Sequence, residues 1–119
     1  MLHRHAYLEV FYVLDGTFDV STLDDAQRLQ IHTVAGGDTI AIPSMVWHTF
    51  KNVGTVHGTF FIIHSPPVME SLMHKIGVPV ADPLNPLMLN GPPSAEEHQR
   101  FMNLIGQYIE MLPPDAIAR

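Results

Sequence analysis

Short runs of β-forming residues separated by turn signals fill the first 65 residues and constrain the fold more than any other feature. Residues 9–14 read EVFYVL, a run rich in β-branched and aromatic side chains, and Asp15-Gly16 follows as a hairpin-type turn to a partner strand at 17–23. Further strands are predicted at 28–35, 39–42, 47–53 and 56–64. Strands this short at this spacing predict an antiparallel sandwich or barrel, not a parallel sheet with crossover helices.

The first of these strands is apolar on both faces. The side of Glu9 also carries Phe11 and Val13, and the opposite side carries Val10, Tyr12 and Leu14. A strand with one solvated face alternates apolar with polar residues. We therefore expect both faces to be covered, one by the interior and the other by the C-terminal helices or a second subunit.

Helical signals begin after residue 65. Ser65 as a cap and Pro66 as a first-turn residue predict a helix at 67–76, and a proline-rich connector follows at 78–93. The Ser-x-x-Glu pattern at 94–97 predicts a capping box for a second helix, which runs to about residue 111 and ends before Pro113-Pro114. We expect one domain, with a β core at 1–65 and a helical extension at 66–119 packed on it.

Composition excludes several classes of partner and site. The net charge is −6 with no basic run, which argues against nucleic acid because phosphate contacts need clustered Lys and Arg. The absence of cysteine excludes disulfides, thiolate metal ligands and thiol nucleophiles. No apolar run reaches the length of a membrane span, and no apolar signal-peptide core is present. The predicted location is therefore the cytoplasm.

Eight histidines are the unusual count, and two of them open a pattern with chemical meaning. In an extended chain alternate residues point the same way, so His3, His5, Tyr7 and Glu9 can share one face. Two imidazoles and a carboxylate that converge can bind a divalent transition metal, and His48 on another strand can close the site. The alternative is a hydrogen-bonded polar cluster that holds no metal.

Two segments together resemble the paired motifs of the cupin superfamily. HRHAYLEVFYVLDG fits His-x-His, three residues, Glu, six residues, Gly. GDTIAIPSMVWHTFKN fits the second motif, with Gly37, Pro43, His48 and Asn52 in register and Met45 where the family pattern has glycine. The resemblance implies an all-β fold, the antiparallel cupin barrel (a double-stranded β-helix or jelly roll), with C-terminal helices. It also implies the metal ligands His3, His5, Glu9 and His48.

The chain is N-terminally short by comparison with the motif. The family's first motif begins with a glycine six residues before the first histidine, and His3 is only the third residue here. We expect either a short or truncated version of the fold or a barrel completed by another chain. An open strand edge of this kind favours pairing between subunits, and we predict a homodimer.

A looser resemblance covers HSPPVMESLMHKIGVPVADP, which is similar to small bacterial monocupins grouped with quercetin dioxygenase. It implies an Fe, Mn, Ni, Co or Cu centre that binds a small aromatic or enol substrate beside O2. Glu9 is the candidate catalytic base, because a carboxylate bound to the metal by one oxygen can take a substrate proton with the other. One alternative is a non-redox isomerase or polyketide cyclase, which zinc would also serve. Another is a small-molecule binding module without turnover.

Candidate substrate-pocket residues follow from the alternation of strand positions. Phe50 and Asn52 share a face with His48, and the remaining candidates are Tyr7, Phe11 and Met45. Any one of the aromatic residues is also a good core residue. His57 and His64 are separated by an odd number of positions in one predicted strand, so at most one of them can face the pocket.

Overall fold

The computed structural model describes residues 1–86 and 91–113, which form eight strands and two helices. Their bounds are β1 His3–Arg4, β2 Leu8–Asp15, β3 Thr17–Leu23, β4 Leu29–Ala35, β5 Thr39–Ile42, β6 His48–Asn52, β7 Thr59–Ser65, α1 Met69–Ile76, α2 Ala95–Ile105 and β8 Glu110–Met111. Within these ranges no helix is long and apolar enough to cross a membrane.

Two antiparallel sheets form the body of the protein, in the strand orders β4-β3-β6-β1-β8 and β5-β2-β7. The core lies between them, and both sheets supply it: Phe11, Val13 and Ile42 come from one, and Phe18, Val20 and Val34 from the other. The predicted all-β, jelly-roll type of fold with C-terminal helices is confirmed. The two sheets remain separate and do not join into a closed barrel.

The turn at Asp15-Gly16 connects the two sheets, so the predicted pairing of 9–14 with 17–23 is wrong. β2 pairs with β5 and β7, whereas β3 pairs with β4 and β6. Gly16 has φ +87°, and a Cβ there would lie 2.6 Å from Cα of Gly58. A turn signal fixes where the chain reverses, but it does not fix which strands become neighbours.

Two boundaries in the second half differ from prediction. Ser65 pairs with Leu8 as the last residue of β7, so it does not cap α1, whose N-cap is Val68. The strand predicted at 56–64 begins only at Thr59. The amide side chain of Asn52 holds the preceding loop, because it donates to the Val56 carbonyl (2.9 Å) and accepts from Gly54 N–H (2.9 Å).

The capping box of α2 is confirmed, but the helix ends earlier than predicted. Glu97 N–H donates to Ser94 Oγ at 3.2 Å, and Ser94 N–H donates to the Glu97 carboxylate at 2.8 Å. The helix ends at Ile105 with Gly106 as its C-cap, and Glu110–Met111, predicted to be helical, instead forms β8 along β1. Pro114, the second proline of the pair predicted to end the helix, lies outside the described residues.

β8 occupies the edge of the strand that carries His3. Arg4 pairs with Glu110, and Leu112 N–H donates to the Leu2 carbonyl at 2.9 Å. The expected open edge beside this strand is therefore filled by the chain's own C-terminal segment. The division into units at residue 65 stays a prediction, and β8 is the part of the extension that joins the sheet.

The outer face of β2 is exposed, so the prediction that the helices cover it is wrong. Tyr12 is 42% exposed and its cross-strand neighbour Phe61 is 58% exposed. The helices lie elsewhere: the Tyr7 hydroxyl contacts Met69 of α1, and the chain after α2 returns to α1 through Tyr108 and Ser71. Coverage by a second subunit stays a prediction.

Candidate metal centre

Three strands from both sheets bring the predicted ligands together. His3 of β1 lies directly opposite His48 of β6, with ring centroids 4.4 Å apart, and His5 follows β1 two residues later. Glu9 enters from β2 in the facing sheet. The spacing predicts that these residues come together, but a bend at residues 6–7 separates them, so His3 and His5 approach from one sheet and Glu9 from the other.

The Glu9 carboxylate is the centre of the cluster and is 5% exposed. Its Oε2 lies 2.8 Å from Nε2 of His48 and 3.2 Å from Nε2 of His5. Its Oε1 lies 2.8 Å from Nε2 of His64. His5 and His48 are also buried, at 4% and 0% exposure, so water does not replace these partners.

Backbone carbonyls orient the predicted histidine ligands. Nδ1 of His48 lies 2.8 Å from the Val46 carbonyl, and Nδ1 of His5 lies 3.0 Å from the Tyr7 carbonyl. A carbonyl only accepts, so each Nδ1 carries the hydrogen and a neutral ring presents a lone pair at Nε2. His3 repeats the arrangement, with Nδ1 3.3 Å from the Met1 carbonyl.

This orientation tests whether the residues fit a cation. The Nε2 lone pairs of neutral His5 and His48 point at a carboxylate oxygen that also only accepts. Acceptors in such contact need a positive charge between them, either a proton on a ring or a metal ion. The backbone hydrogen bonds at Nδ1 are the arrangement that metal-bound histidines commonly have.

Electrostatics favour an ionised Glu9 and a neutral His3, which are the forms that bind a metal. Burial disfavours the charged carboxylate of Glu9, but hydrogen bonds with His48 and His64, the charge of His48 and the bond with His5 outweigh it and lower the Glu9 pKa to about 2. Burial, followed by the charge of His48, lowers the pKa of His3. An ionised carboxylate and a neutral imidazole are the binding forms of these side chains.

The four predicted ligands could hold a metal ion. One nitrogen or oxygen from each of His3, His5, Glu9 and His48 lies within 4.8 Å of the others. Three imidazoles and a carboxylate suit several divalent first-row metals, so the donor set is compatible with Fe, Mn, Ni, Co, Cu and Zn alike.

His64 is the residue that sequence reasoning left unassigned. It pairs with Glu9 across β2 and β7 and is turned inward, whereas His57 lies in the exposed loop before β7. The sequence predicted that at most one of His57 and His64 points inward, and the structure agrees. It did not predict which of the two does so. Alternation of strand faces could have identified His64, because it lies on the same face as Phe60 and Ile62, which pack against the core.

Tyr7 is the predicted pocket residue nearest the cluster. It is 3% exposed, and its ring stacks on His5 with centroids 3.8 Å apart and planes 4° from parallel. Burial and the negative charge of Glu9 raise the pKa of Tyr7 to about 12. Its hydroxyl faces the sulfur of Met69 at 3.7 Å.

Of the other predicted pocket residues, only Met45 touches the cluster, because its backbone N–H donates to the His5 carbonyl at 2.8 Å and both residues line the same cavity. Phe11 and Phe50 pack at 5.3 Å between centroids, and the cavity among the core residues around them is about 10 Å³, room for no more than one water. The Asn52 side chain binds its own loop. Met45, 41% exposed with φ 64°, lines a cavity of about 270 Å³ near Arg4. Their role toward a substrate stays a prediction.

The fold and the site define a cupin. Residues 2–64, more than half of the chain, match the family described as the cupin domain, and the chain belongs to that family. The resemblance predicted from the two motifs is confirmed at this level. No curated protein matches the chain.

Solved structures similar to this chain include oxalate decarboxylase from Bacillus subtilis. A variant of that enzyme is 24% identical over 66% of this chain and 22% of its own, with a TM-score of 0.50. The enzyme at pH 4.6 is 21% identical over 99% of this chain and 32% of its own, with a TM-score of 0.47. This chain therefore spans a fifth to a third of their length, and the likeness concerns the fold alone.

Proposed function

We propose that this cupin is a metal-dependent oxidoreductase of the dioxygenase type, acting on a small aromatic or enol substrate. The observation that carries the proposal is the convergence of imidazole Nε2 atoms on the buried Glu9 carboxylate, with their Nδ1 atoms fixed by carbonyls. His3, His5, Glu9 and His48 are the proposed ligands. A divalent metal held there would supply Lewis acidity toward a substrate oxygen and, if redox-active, one-electron chemistry with O2.

Glu9 is the proposed catalytic base. Its two oxygens have different neighbours, since Oε2 lies between His5 and His48 and Oε1 contacts only His64 among these rings. Each oxygen of an ionised carboxylate has two lone pairs, so Oε1 can accept a hydrogen bond from His64 and still take a proton from a substrate hydroxyl, while Oε2 belongs to the ligand set. The low pKa of Glu9, about 2, keeps the carboxylate ionised at neutral pH.

The experiment combines metal content with O2 uptake. Purified protein is analysed for metals and then supplied with catechols and flavonols in an oxygen electrode, with Glu9→Gln as the test variant and His32→Ala as the control. His32 is an exposed histidine of β4. We expect near-stoichiometric redox-active metal and O2 uptake, which Glu9→Gln abolishes while metal stays bound.

Other outcomes of the same experiment select the alternatives. Stoichiometric zinc with turnover in the absence of O2 would replace the dioxygenase by a non-redox isomerase or cyclase. Tight binding of a phenol without any product would indicate a binding module. Unchanged turnover in Glu9→Gln would eliminate Glu9 as the base.

We also propose a cytoplasmic homodimer that pairs through the outer face of the β5-β2-β7 sheet. The outward residues there are uncharged: Leu8, Val10, Tyr12, Leu14, Thr39, Ala41, Phe61 and Ile63. Each chain has a net charge of −6, so two chains repel each other in general, but this uncharged face brings no like charges into contact. Light scattering should give a dimer mass for the wild type and a monomer mass for Phe61→Glu. A monomeric wild type would refute the pairing.

A further inference from the structure

His64 lies beside the four proposed ligands and contacts Glu9. We propose that His64 is a positioning residue of the metal centre, which holds Oε1 of Glu9 and so turns Oε2 alone toward His5 and His48. The inference rests on the proposed metal site. It does not depend on which reaction the site performs.

Strand pairing brings His64 and Glu9 together. The two residues are direct partners in the β2–β7 ladder, and both side chains point inward. His64 Nε2 lies 2.8 Å from Glu9 Oε1, and their side chains are 15% and 6% exposed. An N–H donor at that distance from a buried carboxylate oxygen is a short, charge-assisted hydrogen bond.

The two oxygens of Glu9 are divided between different partners. Oε2 faces His48 at 2.8 Å and His5 at 3.2 Å, whereas Oε1 faces His64. A free carboxylate can rotate and offer either oxygen or both to a cation. With Oε1 held by His64, Glu9 offers one oxygen, and the orientation of the carboxylate is set before a metal arrives.

An aromatic contact with Tyr7 restricts the His64 ring in turn. Tyr7 meets it edge-on with centroids 5.2 Å apart, and Tyr7 itself is stacked on His5 at 3.8 Å. Tyr7 thus lies between His64, which contacts Oε1, and His5, which contacts Oε2. His64 is distinct from the proposed ligands because its contact is with Oε1 alone.

The test is the binding of Co²⁺ to metal-free protein, with affinity and the visible absorption spectrum as readouts. His64→Ala removes the donor, and we expect a loss of affinity of about 10- to 100-fold, the usual effect of an outer partner of a metal ligand, with a changed spectrum. His64→Gln keeps an N–H that can reach Oε1 and should recover most of the affinity. His57→Ala, which removes an exposed loop histidine, should match the wild type.

Several results would overturn the inference. Wild-type affinity and spectrum in His64→Ala would show that Glu9 does not need the contact. A glutamine variant as weak as the alanine variant would show that the N–H to Oε1 is not what His64 supplies. His64→Leu is measured in parallel, because it has a larger side chain without a donor and keeps the comparison with His64→Gln if the alanine variant does not fold.

These readouts separate the inference from the proposed function. A wild type that binds Co²⁺ and never consumes O2 refutes the dioxygenase and leaves the His64 comparison intact. A wild type that consumes O2, with His64→Ala binding Co²⁺ normally, refutes the positioning role alone. A wild type that binds no Co²⁺ overturns both.

Discussion

The two ends of the protein interior differ more from each other than the short distance along the chain would suggest. Glu9 and Phe11 are successive inward residues of β2, yet Glu9 is surrounded by histidines and Phe11 by Phe50 and Phe60. We name the first the histidine end (His3, His5, Glu9, His48 and His64). We name the second the phenylalanine end (Phe11, Phe18, Phe50 and Phe60).

The difference teaches how this small fold separates stability from chemistry. At the phenylalanine end the rings meet at centroid distances of 4.9 to 5.3 Å, which is favourable aromatic packing. At the histidine end burial of a carboxylate and imidazoles costs free energy unless a proton or a cation compensates. Substitutions at the two ends should therefore change different quantities.

The largest expected effect on folding belongs to the phenylalanine end. Phe11→Ala removes a ring that is 2% exposed and should lower the free energy of unfolding by about 4 kcal/mol. Urea denaturation measures the change, and Phe11→Leu should recover part of it. Folded Phe11→Leu should bind metal like the wild type. Weaker metal binding in that variant would break the comparison between the two ends.

Acid should destabilise the metal-free protein through the histidine end. The Glu9 pKa falls from 4.5 to about 2 in the fold, where Glu9 faces His5, His48, His64 and Tyr7. A lowered pKa contributes stability that is complete above pH 4.5 and is lost as the pH falls toward 2, on the order of 3 kcal/mol. The lowered His3 pKa adds a loss that begins below 6.5.

Urea titrations of the metal-free protein across this pH range measure the slope. Glu9→Gln removes the titrating group and should flatten the part below pH 4.5. Parallel curves for the two proteins would mean that Glu9 does not control acid stability. Phe11→Leu is the matched control from the other end, since it should lower the whole curve without changing its slope.

Loss of one proposed ligand should change metal binding more than folding. His48→Ala removes the Nε2 that lies 2.8 Å from Glu9 Oε2, and we expect metal affinity to fall about 100-fold or ~2.8 kcal/mol. Metal analysis of wild type and variant after reloading measures it, with His32→Ala as control. A normal metal-to-protein ratio and affinity in His48→Ala would remove His48 from the ligand set.

The smallest effect on stability is expected for the ion pair between Arg4 of β1 and Glu110 of β8. Arg4 contacts Glu110 at 2.7 Å and lies over the Trp47 ring at 4.4 Å, but Glu110 is 56% exposed. Glu110→Gln should cost about 0.5 kcal/mol of stability, because exposed ion pairs are screened by solvent. Thermal unfolding measures it. A loss larger than that of Phe11→Ala would show that β8, and not the core, limits the stability of the fold.

The sequence predicts most of the strands and the proposed ligands. The predictions that are wrong share one cause. His3 and His5 share a face through local alternation, and Glu9 and His48 lie in register within the two motifs. The errors depend on partners more than 40 residues away in sequence. They concern the pairing of β2 with β7, the formation of β8 where a helix end was predicted, and the exposure of the face that carries Tyr12. Local patterns do not encode such partners.

The class of fold, the alternating faces and the four proposed ligands can be read from the sequence alone, because they depend on periodicity and motif spacing. Only the tertiary structure decided that His64, and not His57, meets Glu9, since that choice depends on the register between β2 and β7. It also decided that Phe11 is a buried core residue whereas Phe50, which contacts the Phe11 ring, stays 40% exposed, and that the space among the core residues beside them is only about 10 Å³. A side chain's direction is local, whereas what it meets is set by strands that are distant along the chain.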